Sequence, residues 1–255
     1  MEKEGQLYSG EGEPHNKQVV VDFLRHGETN YTDVGRDLTA KGESQITEAA
    51  QRIVETIDPE KDVVVLWSSP ARRAQGSEEI LKELLAEKGV EIRKESEISS
   101  LRNFDQKNKE FVSKMWPELK AQGKSPEEAF ARDPIFQEES DKFESQPEVR
   151  ERAGRVFNWI RYIAEHAQLQ GKRLRIIGVS HSEILNPVME DIFGRKIEEG
   201  NGVKNGEDLR ISFDYDQVSH ETDISAEFRG EQRSGITYDK KKRVFVAQEK
   251  KDDGQ

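Results

Sequence analysis

Residues 24–29 read Leu-Arg-His-Gly-Glu-Thr and follow directly on the apolar run Val19–Leu24. Three neighbours in that hexapeptide suit phosphoryl chemistry. The Arg25 guanidinium is a planar fork that matches phosphoryl oxygens. The His26 imidazole attacks phosphorus well when one ring nitrogen is tied to a backbone carbonyl and the other is free. Gly27 lets the backbone come close. Two further apolar runs end in residues of the same kind. Asp62–Trp67 leads into Ser68-Ser69-Pro70-Ala71-Arg72-Arg73, and Arg173–Val179 leads into Ser180-His181-Ser182. On a helix beginning near Ser69, Arg73 shares a face with Ser77, Ile80, Leu81 and Leu84, the apolar stripe, and so needs an anionic partner. Arg72 falls with Gly76, Glu79 and Glu83 on a solvated face, where pairing with Glu79 or Glu83 contributes little. His181, once protonated, is suited to donate to a non-bridging phosphoryl oxygen.

These groups act together only if the fold carries them to one place. Val19–Leu24, Asp62–Trp67 and Arg173–Val179 read as buried strands, with a weaker strand at Val90–Arg93. Thr39 is placed to cap a helix reaching Ile57, with Ile46, Ala49, Ala50, Ile53 and Ile57 at helical spacing. Ser69-Pro70 reads as cap and first residue of a helix ended by Gly89. Glu148–Gln168 is amphipathic, and a helix from His181 to Phe193 stops at Gly194. Strand–helix alternation predicts an α/β three-layer sandwich with a mostly parallel central sheet flanked by helices. Ligands of such sheets bind beyond the carboxyl ends of the strands, where all three chemical runs emerge. Residues 101–147, highly charged with scattered aromatics, read as a helical insertion in the position of a lid. The aromatics there read as anchors of a small core. Leu209–Tyr215, Ile224–Phe228 and Gly235–Tyr238 suggest a small antiparallel β appendage within 208–247. Residues 1–17 read as a disordered leader and 248–255 as a tail, leaving 18–247 as one domain.

Taken together, these segments resemble the histidine phosphatase superfamily, also called phosphoglycerate-mutase-like. Leu24–Thr29 matches its signature. Leu38-Thr39-Ala40-Lys41-Gly42-Glu43-Ser44-Gln45 is similar to a second family segment. Trp67–Ser77 resembles a third and places the family arginine at Arg73, the residue that the face argument selects. Gly178–Leu185 resembles the segment of the second histidine, at His181. The resemblance covers about 19–100 and 150–194. It implies phosphoryl transfer to His26, with Arg25, Arg73 and His181 holding the equatorial oxygens, followed by hydrolysis of the phosphohistidine. It implies no metal or other cofactor. Three departures stand out. Where many members have a proton-donating glutamate after Leu-x, this chain has Leu101-Arg102-Asn103; Glu97 is the first substitute, with Asp105 and Glu183 as alternatives. The Arg25–Leu38 segment is short and has Thr32 where asparagine is usual; within it and one residue beyond, Asp33–Thr39 resembles a run of short phosphohistidine phosphatases, which makes Arg36 a candidate pocket arginine, with a surface loop residue as the other reading. Ser77 replaces a usual threonine.

Composition narrows the reading further. The 255 residues carry 40 Lys+Arg against 51 Asp+Glu, a net charge of −11, which disfavours a nucleic-acid surface. With no cysteine, thiolate catalysis, disulfides and Cys-type zinc sites are excluded. No apolar run approaches a membrane span, and the N-terminus lacks an apolar signal core, so the expected setting is cytoplasmic, with no membrane partner. The expected activity is hydrolysis of a phosphomonoester or phosphohistidine, on a phosphorylated small molecule or a phosphoprotein. A phosphate-recognising regulatory protein with little turnover, and a mutase, remain the other readings. Oligomeric state is left open.

Overall fold

The computed structural model describes residues 16–30, 35–123, 126–138, 140–198 and 200–247. The expected leader lies outside these residues up to 15, and the expected tail lies wholly outside them.

An eight-stranded sheet forms the middle layer, with strand order β3-β2-β4-β1-β5-β6-β7-β8. The strands are β1 (Lys17–Arg25), β2 (Asp62–Ser68), β3 (Ile92–Glu97), β4 (Arg173–Ser180), β5 (Asp208–Tyr215), β6 (Thr222–Phe228), β7 (Glu231–Asp239) and β8 (Val244–Ala247). β3, β2, β4 and β1 are parallel. From β5 onward the pairing is antiparallel, and β5 pairs along the length of β1. The C-terminal strands are thus an appendage that extends the sheet.

Helices cover both faces. On one lie α1 (Ala40–Glu55) and α2 (Arg72–Glu87); on the other lie α5 (Gln146–His166) and α6 (Ser182–Phe193), with α3 (Lys109–Ala121) and α4 (Pro126–Arg132) beside them. Alternation along the strands feeds two cores. Val19, Val21, Phe23 and Ile176 face α5 and α6. Val64, Leu66 and Ile177 pack with Ile53 of α1 and Leu81 and Leu85 of α2, and Leu24 and Val179 with Ile46, Ala49, Ala74 and Ile80.

Local chemistry sets the helix starts. The Thr39 hydroxyl accepts from the Gly42 N–H at 2.9 Å. At α5 the Glu148 carboxylate reaches back to the Ser145 N–H at 2.7 Å, closing a capping box. Pro147 lies in the first turn of α5, where a missing N–H costs nothing. That helix therefore begins two residues ahead of the expected Glu148.

Two further sequence expectations need correction. Ser69-Pro70 does not begin α2; the cap is Ala71 and the helix starts at Arg72, because Ser69 is buried beneath His181. The third strand runs over Ile92–Glu97 rather than Val90–Arg93. As a sheet edge it is exposed along most of its length, so its sequence carries no apolar alternation to mark it. β8 has no counterpart among the strands expected within 208–247; its four residues are too few for a pattern.

The 101–147 region contains α3 and α4 around an aromatic cluster. Phe104, Phe130, Phe136 and Phe143 are buried. The Phe136 ring lies 5.0 to 6.0 Å from those of Phe104, Trp116, Phe130 and Phe143.

Candidate active site

The register of the parallel strands places three loops side by side. Arg25 pairs with Ser180, and Ser68 with Val179, so His26, Ser69 and His181 each occupy the first position beyond neighbouring strand ends. The loops are stitched together by backbone bonds. His26 N–H donates to the Ser180 carbonyl at 3.1 Å, and Ser69 N–H to that of Val179 at 3.0 Å.

His26 is 5% exposed, and its Nδ1 lies 2.7 Å from the Gly27 carbonyl oxygen. That contact puts the proton on Nδ1 and leaves Nε2 with its lone pair. Arg73 Nε donates to this Nε2 at 3.2 Å. Arg73 Nη2 lies 3.4 Å from His181 Nδ1, which makes Nδ1 the acceptor and gives His181 its proton on Nε2, 2.8 Å from the Ser69 hydroxyl. The imidazole rings sit edge to face with centroids 4.9 Å apart. Both are held neutral. Burial pushes the His26 pKa down to about 3, helped by the charges of Arg73 and then Arg25. Burial pushes His181 well below its ordinary value as well, followed by the influence of His26, Arg73 and Arg25. Arg25 completes the group; its Nη1 donates to the Val203 carbonyl at 2.7 Å.

Several supporting residues hold these groups in place. Ser69 orients His181. The Ser77 hydroxyl donates to the Arg73 carbonyl at 2.7 Å and accepts from Gly27 N–H at 3.3 Å, joining α2 to the histidine loop. Asn205 Nδ2 holds the His26 carbonyl at 2.8 Å from a segment with no recognisable motif. Gly27 is required by packing. A Cβ there would lie 2.4 Å from the Gly42 carbonyl oxygen, and one at Gly42 would lie 2.1 Å from that of Glu28. The two glycines let the loop rest on the first turn of α1.

A cavity of about 360 Å³ opens above these groups, lined by Arg25, His26, Arg73, Asn103, Phe104, Gln106, Trp116, His181, Ser182 and Glu183. Arg25, His26, Arg73 and His181 are thus brought together, whereas Glu97 is not among the lining residues. Glu97 is exposed at the end of β3 and accepts from Gln75 Nε2 at 2.9 Å. Asp105 is also exposed and lines no part of the cavity, whereas Glu183 does. Arg36 points away from it. Its guanidinium pairs with Glu79 at 3.0 Å and with Glu83, the partners expected of Arg72, while Arg72 donates to the Gly35 carbonyl at 3.0 Å. The reason is Gly76, buried rather than solvated, on which the Arg36 backbone lies so closely that a Cβ would sit 2.3 Å from the Arg36 carbonyl oxygen. Thr32, Asp33 and Val34 lie outside the described residues.

The family model of the histidine phosphatase superfamily (branch 1) matches residues 21–221. The chain belongs to this superfamily. Histidine phosphatases share phosphohistidine-type catalysis, and membership makes this chain an enzyme of that general type. Solved structures agree on the fold. A phosphoglycerate mutase from Bacillus anthracis str. Sterne aligns with a TM-score of 0.56 at 18% identity, covering 85% of this chain and 94% of that chain. A structure named mycobacterial hydrolase 2 aligns at 0.51 and 17%, covering 92% and 94%. A mycobacterial glucosyl-3-phosphoglycerate phosphatase complexed with VO3 aligns at 0.51 and 19%, covering 83% and 98%. A search of the curated proteins gives no match. Among the described residues no helix is long and apolar enough to cross a membrane.

Proposed function

We propose that this histidine phosphatase hydrolyses a phosphomonoester through a phosphohistidine on His26. One observation carries the reading. His26 is neutral, with Nδ1 tied to the Gly27 carbonyl and Nε2 turned toward Arg73 and His181. Nε2 attacks phosphorus in line with the ester oxygen; the N–P bond forms as the P–O bond breaks. Arg73 releases Nε2 and, with Arg25, takes the equatorial oxygens, where charge gathers in the transition state. His181 takes a proton from solvent as the bound dianion offsets the neighbouring guanidinium charges, its Nδ1–H donates to the third oxygen, and the proton returns to solvent when phosphate leaves.

The leaving alkoxide needs a proton. Glu183 is the one carboxylate that lines the cavity among the described residues, and we assign it as the donor in place of Glu97. In the second half its carboxylate takes a proton from the attacking water. The N–P bond breaks, and phosphate leaves with His26 restored.

Two variants test this scheme. His26→Ala should abolish both ester hydrolysis and the acid-labile phosphoenzyme; wild-type turnover in that variant would sink it. Glu183→Gln should lower kcat on alkyl phosphates by about 10²–10⁴, and much less on p-nitrophenyl phosphate, whose leaving group needs no proton. Equal losses on both substrates would remove Glu183 from the donor role.

A further inference from the structure

The cavity has two chemically distinct parts. Its cations, Arg25 and Arg73, stand with the histidines and are taken up by the phosphoryl group. The remaining lining is Asn103, Phe104, Gln106, Trp116, Ser182 and Glu183, which includes two amides, two aromatic rings, one hydroxyl and one carboxylate. Basic residues of the same loop turn elsewhere. Arg102 donates to the Ser99 carbonyl at 3.3 Å and lies 3.7 Å from Glu144. Lys107 donates to the Ser140 carbonyl at 2.9 Å and lies 3.7 Å from Glu148.

We propose that the site takes small phosphomonoesters with an uncharged polyol as leaving group, and discriminates against leaving groups that carry a second anion. This rests on the phosphatase reading above. Amide side chains present donors and acceptors together, the complement of hydroxyl groups. Half-buried Trp116, its ring packed 5.6 Å from Phe136, and Phe104 offer apolar surface to the C–H faces of a polyol. A carboxylate or second phosphate in the same place would give up water and find no cation in this part of the described lining, since Arg25 and Arg73 are taken up by the phosphoryl group. The volume of about 360 Å³ lies at the small end of the range for small-molecule sites, which fits a compact leaving group.

A matched pair of substrates tests this. Glycerol 3-phosphate and 3-phosphoglycerate differ only by a CH₂OH group in place of a carboxylate. With the full chain, kcat/KM for glycerol 3-phosphate should exceed that for 3-phosphoglycerate by at least about tenfold. Gln106→Lys, which adds a cation to the wall and leaves the histidines and arginines in place, should narrow that ratio by raising turnover of 3-phosphoglycerate. Equal or preferred turnover of 3-phosphoglycerate by the wild type, with phosphoenzyme formed normally, overturns the proposed selectivity alone. Absence of turnover and of phosphoenzyme on every ester overturns the phosphatase reading and this one with it.

Discussion

The proposed attack by His26 requires a neutral imidazole, and the same burial that keeps it neutral makes folding depend on pH. Its pKa falls from 6.5 to about 3 in the native site, so between those values the unfolded chain binds a proton that the native chain refuses. Stability therefore rises with pH across this window and is lost as pH falls below about 6.5. His181 is depressed in the same direction and adds to the slope. Each histidine contributes up to about 1.4 kcal/mol per pH unit. Urea unfolding at pH 6.5 and 5.5, above the range where most carboxylates titrate, should show the loss, and His26→Gln should remove about one proton's share of it. An unchanged slope in the variant would mean that His26 is charged in the native site. At this scale the sequence was informative where a side chain follows a strand end. Arg25, His26 and His181 could be singled out because they lie at strand ends, and Arg73 because it falls on a helix's apolar stripe, all within segments that match the superfamily's motifs. Ser69 and Asn205 could not, since a hydroxyl or an amide acquires its role from a tertiary neighbour 112 or 179 residues away. Arg36 takes the partners expected of Arg72 because a buried helical glycine looks the same in sequence as an exposed one.

The loop carrying Asn103, Phe104 and Gln106 owes its position to one pair on or beside α5. Arg152, 3% exposed, donates to the carbonyls of Ser100 at 2.8 Å, Arg102 at 2.9 Å and Asn103 at 3.1 Å. Its remaining bonds go to Glu144, both at 2.8 Å, and Glu144 accepts from the Asp105 N–H at 3.1 Å. From the sheet side, Ser180 Oγ holds the Leu101 carbonyl at 2.8 Å. Arg152→Met strands a buried carboxylate and three carbonyls, so it should cost about 3–5 kcal/mol. Adding Glu144→Leu removes the stranded charge and should restore part of that loss, though not the part due to the carbonyls. A single variant that loses less than about 1 kcal/mol by urea unfolding would show that the pair behaves as an exposed one. Elements with one buried face were readable from the sequence. The edge strand β3 and the ends of α2 and α5 were not, because their boundaries depend on what packs over them.

Across the whole molecule, the C-terminal strands share a core with the layer that carries the site. Phe245 of β8 packs edge to face on Phe157 of α5 at 5.0 Å, and Phe157 on Phe23 of β1 at 5.3 Å, two residues ahead of Arg25. Tyr238 of β7 lies 5.2 Å from Phe245. A row of rings thus runs from the last strand to the strand that delivers His26. Alternating hydrophobicity predicted an antiparallel appendage, but it held no sign that β5 continues the sheet along β1. Pairing partners are set by topology, which periodicity does not encode. The consequence is one cooperative unit. Phe245→Ala should destabilise the protein by about 3–5 kcal/mol, and the loss should reach residues far from β8. The three tryptophans, Trp67, Trp116 and Trp159, stand on β2, α3 and α5, so their fluorescence reports the parallel sheet and the cavity wall and none of the C-terminal strands. If the sheet unfolds as a unit, the tryptophan transition and the far-UV transition should move together to lower urea in the variant. If β5–β8 unfold alone, the tryptophan midpoint would stay at its wild-type value while the far-UV signal acquires an earlier step, and the row of rings would then carry no coupling between the appendage and the site.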